Sequence, residues 1–481
     1  MNTATPFTRR GFLGSSALAA GAVALPSILR AQTAAPAASP VYRFDEKILP
    51  AWTRAPLAPG EPGKDYRPSV TLNGSTLPFR VVDGVKVFHL TCEEVDHVFV
   101  PKTEANDELR AYCWGFNGSV HGPTIECVEG DRIRIYVTNN LPTATSIHWH
   151  AVIVPNGMDG VGGLSQTPIT PGQTFKYEFT VWQHGAYMYH SHHDEMTQMA
   201  LGMLGMFIVH PRDPKTPPPD RDYVYMLSEW KIVPGTRRPD PNEMVEFNIL
   251  TMNGRAYPGT APPLAKLGDR VRFRIGNLSA MDHHPIHIHG HAWKIIETDG
   301  GPIPESAQWP ETTVLVPVGS TRTVEFIANN PGDWAMHCHM THHVMNQMGH
   351  GVPNIIGIKP GSLDAQVRTF LPGYMTMGED GMGDMAEMGM RIPPNSVPMV
   401  GSPGPHGYIT MGGMYTNVKV RENLGDLDAA KGADFTYGGW YENPPGTEAM
   451  LASDADLKRD LGNVPSSIPS SNPMNGMQNH G

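Results

Sequence analysis

The residues with the most chemistry in this 481-residue sequence are His337-Cys338-His339, followed by His343 and Met348. A thiolate, several imidazoles and a thioether within twelve residues make up the donor set of a blue-copper electron-transfer site. On a strand, adjacent side chains alternate faces. Cys338 then reaches one metal, while His337 and His339 reach another on the opposite side. The motif implies two copper centres joined by a covalent path one residue long.

Three further clusters define the second centre. His148-Trp149-His150 and His190-Ser191-His192 are His-x-His pairs, and a period of two puts both imidazoles of each pair on one strand face. The fourth cluster is His284-Pro285-Ile286-His287-Ile288-His289. With His284 and His343 given to the blue copper, eight histidines remain in four His-x-His pairs. Neutral imidazoles in that number suit three copper ions, a pair and a single one. One such pair is common on exposed strands. Four of them, one wrapped round a cysteine, are poorly explained as surface or core histidines.

These motifs, at residues 148–150, 190–192, 284–290 and 337–348, resemble those of the multicopper oxidases, the family of laccases and related metal oxidases. The resemblance implies type 1 copper on His284, Cys338 and His343, with Met348 axial. It implies type 2 copper on His148 and His287, and the type 3 pair on His150, His190, His192, His289, His337 and His339. The implied reaction is one-electron oxidation of phenols or low-valent metal ions such as Cu(I), coupled to four-electron reduction of O2 to water. Cys338 carries electrons from type 1 copper to His337 and His339. Asn156–Gly160 resembles the family segment whose aspartate relays protons, making Asp159 the candidate. The plain alternative is a turn aspartate in a Gly-rich loop. Some bacterial relatives have a glutamate directly after the second type 1 histidine; Val344 stands there in this chain. A thioether axial ligand implies a modest potential and easily oxidised reductants.

Short alternating runs position these residues. Arg132–Val137, Phe175–Phe179, Val271–Ile275 and Thr323–Phe326 read as strands broken by Gly, Pro and Asn, which points to antiparallel β-sandwiches. Gly130-Asp131-Arg132-Ile133-Arg134-Ile135 echoes Gly268-Asp269-Arg270-Val271-Arg272-Phe273, and each copy precedes two histidine clusters. The fold is therefore all-β, with two sandwiches in tandem, cupredoxin-like Greek keys by resemblance. The second alone carries the blue copper, because the first has Ser191 in place of Cys338. The expected spans are a signal peptide at 1–35, a linker or arm at 36–68, domain 1 at 69–212, domain 2 at 220–360, and a Met/Gly/Pro-rich extension at 361–481. Pro211–Pro219 marks the boundary between the sandwiches. Only 91 residues separate His192 from His284, too few for the additional domain of three-domain laccases. Two-domain relatives assemble as ring-shaped trimers with the cluster at the junction of domain 1 with the next subunit's domain 2. A homotrimer is thus implied, with an intrachain cluster reshaped by the C-terminal segment as the alternative.

The net charge of −11 argues against a nucleic-acid partner. No long apolar run after the N-terminus reads as a membrane span. Thr8-Arg9-Arg10-Gly11-Phe12-Leu13 before the apolar stretch Phe12–Leu29 reads as a twin-arginine export signal. The expected location is the periplasm or the medium. Such a compartment permits one disulfide among Cys92, Cys113 and Cys127, leaving one thiol over; buried free thiols are the alternative.

Methionine is the remaining anomaly. Met196, Met199, Met203 and Met206 recur at spacings of three and four, as in a packed stripe. Nine of the 27 methionines fall in residues 374–414 among Gly, Pro and acids, where no apolar period explains them. Thioethers suit Cu(I), so this segment is either a cuprous-ion binder or a lid or tail. Two other readings share some of these features. A copper nitrite reductase has no use for eight paired histidines. A non-enzymatic copper-sequestering protein has no use for a cysteine threaded between cluster ligands.

Overall fold

Alternation in the sequence becomes alternation of burial. In the strand Arg132–Asn139, Ile133, Ile135 and Val137 point inward, while Arg132 and Arg134 point out to Glu178 on the adjacent strand, at 3.2 and 2.6 Å. Arg270–Asn277 repeats the pattern with Val271, Phe273 and Ile275 inward. The computed structural model describes residues 54–102, 108–233, 235–344, 363–372, 402–409, 411–428, 431, 436–448 and 450–461. The signal segment, Met348, His350 and most of the Met-rich stretch lie outside them.

Two sandwiches result, each a pair of sheets closed over its own apolar core. In the first, a four-stranded sheet runs Gly122–Val128, Leu204–His210, Gly185–Ser191, Ile147–His150. In the second, a five-stranded sheet runs Leu264–Lys266, Tyr415–Arg421, Gly332–Cys338, His284–Ile288, Thr313–Val316. Both begin with a parallel pair and continue antiparallel, so the sequence repeat is a repeat of topology. The echoed Gly-Asp segments form the same turn. Gly130 and Gly268 have φ of 88° and 93°, and Asp131 and Asp269 accept the backbone N–H three residues back, at 2.8 and 2.9 Å.

Both sandwiches borrow chain from outside the expected spans. Tyr415–Arg421, in the stretch read as an extension, lies between Leu264–Lys266 and the cysteine strand Gly332–Cys338. Val70–Thr71, from the start of the first span, pairs in parallel with Arg221–Trp230 of the second sandwich. Leu57 and Gly60 lie on the first sandwich, with Leu57 N–H donating to Gly130 O and Gly60 N–H to Asp131 Oδ1. The described part of 36–68 is thus an arm.

The sandwiches meet through Ala186, Met188, Leu204, Met206 and Ile208 on one side and Val224, Met226 and Leu278 on the other. This explains most of the first methionine group: Met203 is core, Met206 is interface, and Met199 packs beside it. Met196, in the first turn of the helix Glu195–Ala200, is 58% exposed. Cys92, Cys113 and Cys127 are buried free thiols, each pushed far above the usual thiol range by burial. Among the described residues, no helix is long and apolar enough to cross a membrane.

Candidate metal centre

Cys338 ends its strand opposite Ile286, and His337 lies opposite His287. This register places the cysteine on the buried face and the histidines on the other. His284 opens the neighbouring strand, and His343 sits on the single turn Thr341–Val344. The Cys338 Sγ lies 3.3 Å from His343 Nδ1 and 3.8 Å from His284 Nδ1. The two Nδ1 atoms are 3.1 Å apart, and all three side chains are fully buried.

The outer nitrogen of His284 is held by a hydroxyl, and that of His343 faces a carboxylate. His284 Nε2 is 2.6 Å from Ser279 Oγ, and His343 Nε2 is 3.4 Å from Asp282 Oδ2. Glu229 fixes that loop by accepting the N–H groups of Met281 and Asp282, at 2.7 and 3.3 Å. A carboxylate facing Nε2 favours the proton there and leaves the His343 Nδ1 lone pair aimed at Cys338. Burial, and then the neighbouring His343, push His284 down to about 3, so its ring is neutral. Burial pushes the Cys338 thiol up to about 12, so metal binding must displace its proton. Two lone pairs and a sulfur converging in a dry pocket fit a soft cation.

The other eight histidines form two quartets. His148, His150, His190 and His192 gather on the first sandwich, with ring centroids 5.4–5.9 Å apart. His287, His289, His337 and His339 gather on the second, at 4.9–5.7 Å. Carbonyl oxygens only accept, so the ring nitrogens facing them carry the protons. His148 Nδ1 donates to Asp159 O, His190 Nδ1 to Ser191 O, His337 Nδ1 to Cys338 O, and His150 Nε2 to Gly319 O, all at 2.8 Å. His287 Nδ1 donates to Thr312 O at 2.9 Å.

The remaining nitrogens therefore present lone pairs. His150 Nδ1 and His190 Nε2 face each other at 3.3 Å, two acceptors with no proton between them. Burial pushes His190 down to about 3 and lowers His150, His289 and His337, which keeps these rings neutral. A shared cation satisfies such a pair. The donor sets fit copper ions at all three places.

The quartets stay separate. No ring contact joins them among the described residues, although His150 reaches the second sandwich through the Gly319 carbonyl. His289 and His339 are exposed, and a cleft of about 590 Å³ lined by His287, His289, His291, Thr312, Asn329 and Trp334 opens beside them. Asp159 stands where expected, its Oδ1 3.4 Å from His148 Nδ1. Of the other histidines beside these clusters, His283 accepts from Val318 N–H, His342 is exposed, and His291 packs on Phe326 and Trp334. The supports that sequence reading missed are Ser279, Asp282, Glu229, the Gly319 and Thr312 carbonyls, and Glu195, which lies 3.6 Å from His190 and 3.8 Å from His192. Asp282, two residues before His284, and Glu195, three after His192, were open to detection by proximity.

Residues 99–214 and 234–355 each match the multicopper oxidase family. The chain is 32% identical over 232 residues to copper resistance protein A of Escherichia coli, covering 38% of each chain. It is 32% identical over 225 residues to laccase-1 of Botryotinia fuckeliana, covering 44% of this chain and 39% of that one. It thus spans about two-fifths of the length of these relatives. The solved structure of the multicopper oxidase mgLAC aligns with a TM-score of 0.50 and 25% identity, over 74% of this chain and 93% of the other. Two cupredoxin-like sandwiches, a buried Cys-His-His pocket and paired His-x-His strands place this chain in the multicopper oxidase family.

Proposed function

We propose that this protein is a copper-dependent oxidase that couples one-electron oxidation of phenols or low-valent metal ions such as Cu(I) to reduction of O2 to water. Bound copper supplies one-electron redox chemistry and a place for dioxygen. The reading rests above all on Cys338, which is buried with His284 and His343 while its neighbours His337 and His339 join a histidine quartet on the opposite face. That arrangement has no use in a protein that only stores metal.

The donor sets support a reading of four coppers per functional unit. His284, Cys338 and His343 would hold type 1, with a methionine thioether that motif spacing assigns to Met348. His148 and His287 would hold type 2, and His150, His190, His192, His289, His337 and His339 the type 3 pair. Because each quartet stands on its own sandwich, one subunit's first quartet would face the next subunit's second, as in a homotrimer. Asp159, beside His148, is positioned to hold a proton for the oxygen chemistry. The name of the Escherichia coli relative favours Cu(I) as reductant, and the laccase favours phenols. The twin-arginine segment supports export to the periplasm or medium.

The test is oxygen uptake by copper-loaded protein, with Cu(I) and an electron-rich phenol assayed side by side. Preference for Cu(I), lost on deleting residues 374–401, makes this a copper-detoxifying oxidase. Preference for the phenol makes it a laccase. No uptake with either reductant at full copper occupancy overturns the oxidase reading.

A further inference from the structure

Beyond Val344, the described chain meets the buried pocket again at Gly412 and Met414. The N–H of Gly412 donates to Val344 O at 2.7 Å, and that of Met414 to His343 O at 3.1 Å. Cys338 N–H then donates to Met414 O at 3.0 Å, directly before the strand Tyr415–Arg421. The pairing of His337 with Tyr415 sets Cys338 opposite Met414. Residues directly opposite in an antiparallel pair share one face, with Cβ atoms roughly 4.5–5.5 Å apart. Both pairs obey this. Tyr415 stacks on His337 on the quartet face, with centroids 6.3 Å apart, and Met414 is fully buried in the same core cluster as Cys338.

The first sandwich repeats the placement without the metal chemistry. Ser191 stands where Cys338 does, and its N–H donates to Met203 O at 3.1 Å. His190 pairs with Leu204 as His337 pairs with Tyr415. Met203 is fully buried and directly precedes the equivalent strand, Leu204–His210. A methionine at this register therefore belongs to the repeated fold, and in the second copy it stands beside a cysteine and two histidines with free lone pairs.

We infer that Met414, rather than Met348, supplies the thioether that completes the buried Cys338–His284–His343 site. The inference rests on reading that site as type 1 copper. It also gives the Met-rich stretch 374–414 an end point inside the centre, so the oxidase is closed by a strand that follows the whole insertion.

Four variants of the full-length, copper-loaded protein, M414L, M414Q, M348L and M203L, test this. The readouts are the visible thiolate-to-copper charge-transfer band and the reduction potential of the centre, with circular dichroism as the check on folding. Losing the thioether should raise the potential in M414L, and an amide oxygen in its place should lower it in M414Q, since the axial ligand tunes such sites. Opposite shifts are not what lost packing produces. M203L, the same substitution in the first sandwich, should leave band and potential unchanged. Shifts in M348L with none in M414L or M414Q overturn the assignment alone. A copper-loaded wild type without the band overturns the type 1 reading and the assignment together.

Discussion

His148 shows how closely chemistry and support are interlocked. Its ring is oriented by the backbone carbonyl of Asp159, while the carboxylate of the same residue lies beside it. Gly160 makes this possible: it has φ of 86°, and a Cβ there would lie 1.7 Å from Ile147 O. Positioning and proton handling are therefore separable. In D159N the carbonyl remains, so His148 should keep its orientation and the protein its copper content. Oxygen uptake should fall by about 100-fold, the usual range for losing a positioned acid or base. Equal loss of copper and uptake in D159N would instead make Asp159 a structural residue. The histidine and cysteine clusters were legible in the sequence because His-x-His and His-Cys-His carry their facing in their spacing. The residues that hold the outer ring nitrogens were not. A carbonyl such as Gly319 leaves no side-chain signature, and Ser279 and Glu229 reach the pocket only through the fold.

Strands were legible where one face is buried and the other is wet. Arg132–Asn139 and Arg270–Asn277 announce themselves by alternation. The partners of Tyr415–Arg421 were not legible, because pairing across the chain between His343 and Tyr415 is non-local. The structure also buries Lys419, 3.4 Å from Asp333. Buried charge is placed with similar care in the sheet facing the cysteine sheet. Arg274 donates twice to Asp222, at 2.9 Å each, and its Nη1 lies 3.4 Å from Glu297. Burial alone would raise the Asp222 pKa, but Arg274 and Arg272 hold it below the ordinary aspartate value. A depressed folded pKa stabilises above the unfolded value of about 3.9 and is lost as pH falls through the folded value. Removing the cation leaves Asp222 buried with a weaker partner, so R274M should cost about 3–5 kcal/mol in urea unfolding at neutral pH. The deficit should shrink below roughly pH 4, where Asp222 is protonated in the unfolded chain. A deficit that persists unchanged in acid would mean that packing, not charge, holds this position.

The assembled protein poses a different question, because no single chain brings both quartets together in ring contact. Inactivating each quartet separately turns this into a measurement. H148A disables the first quartet and H337A the second, and each homogeneous protein should consume no oxygen. If a functional cluster draws its halves from two subunits, dissociating and reassembling the variants together creates some junctions with both halves intact. Such a junction takes its first quartet from H337A and its second from H148A, together with the intact Cys338 of the latter. In a head-to-tail ring assembled at random from equal amounts, roughly one junction in four meets this condition. Mixed oligomers should therefore recover about a quarter of wild-type oxygen uptake, peaking at equal mixing. Mixing without dissociation should recover nothing. An intrachain cluster predicts no recovery at any ratio, because every chain then carries one damaged half. Oligomer mass measured on the same samples separates failed assembly from failed complementation.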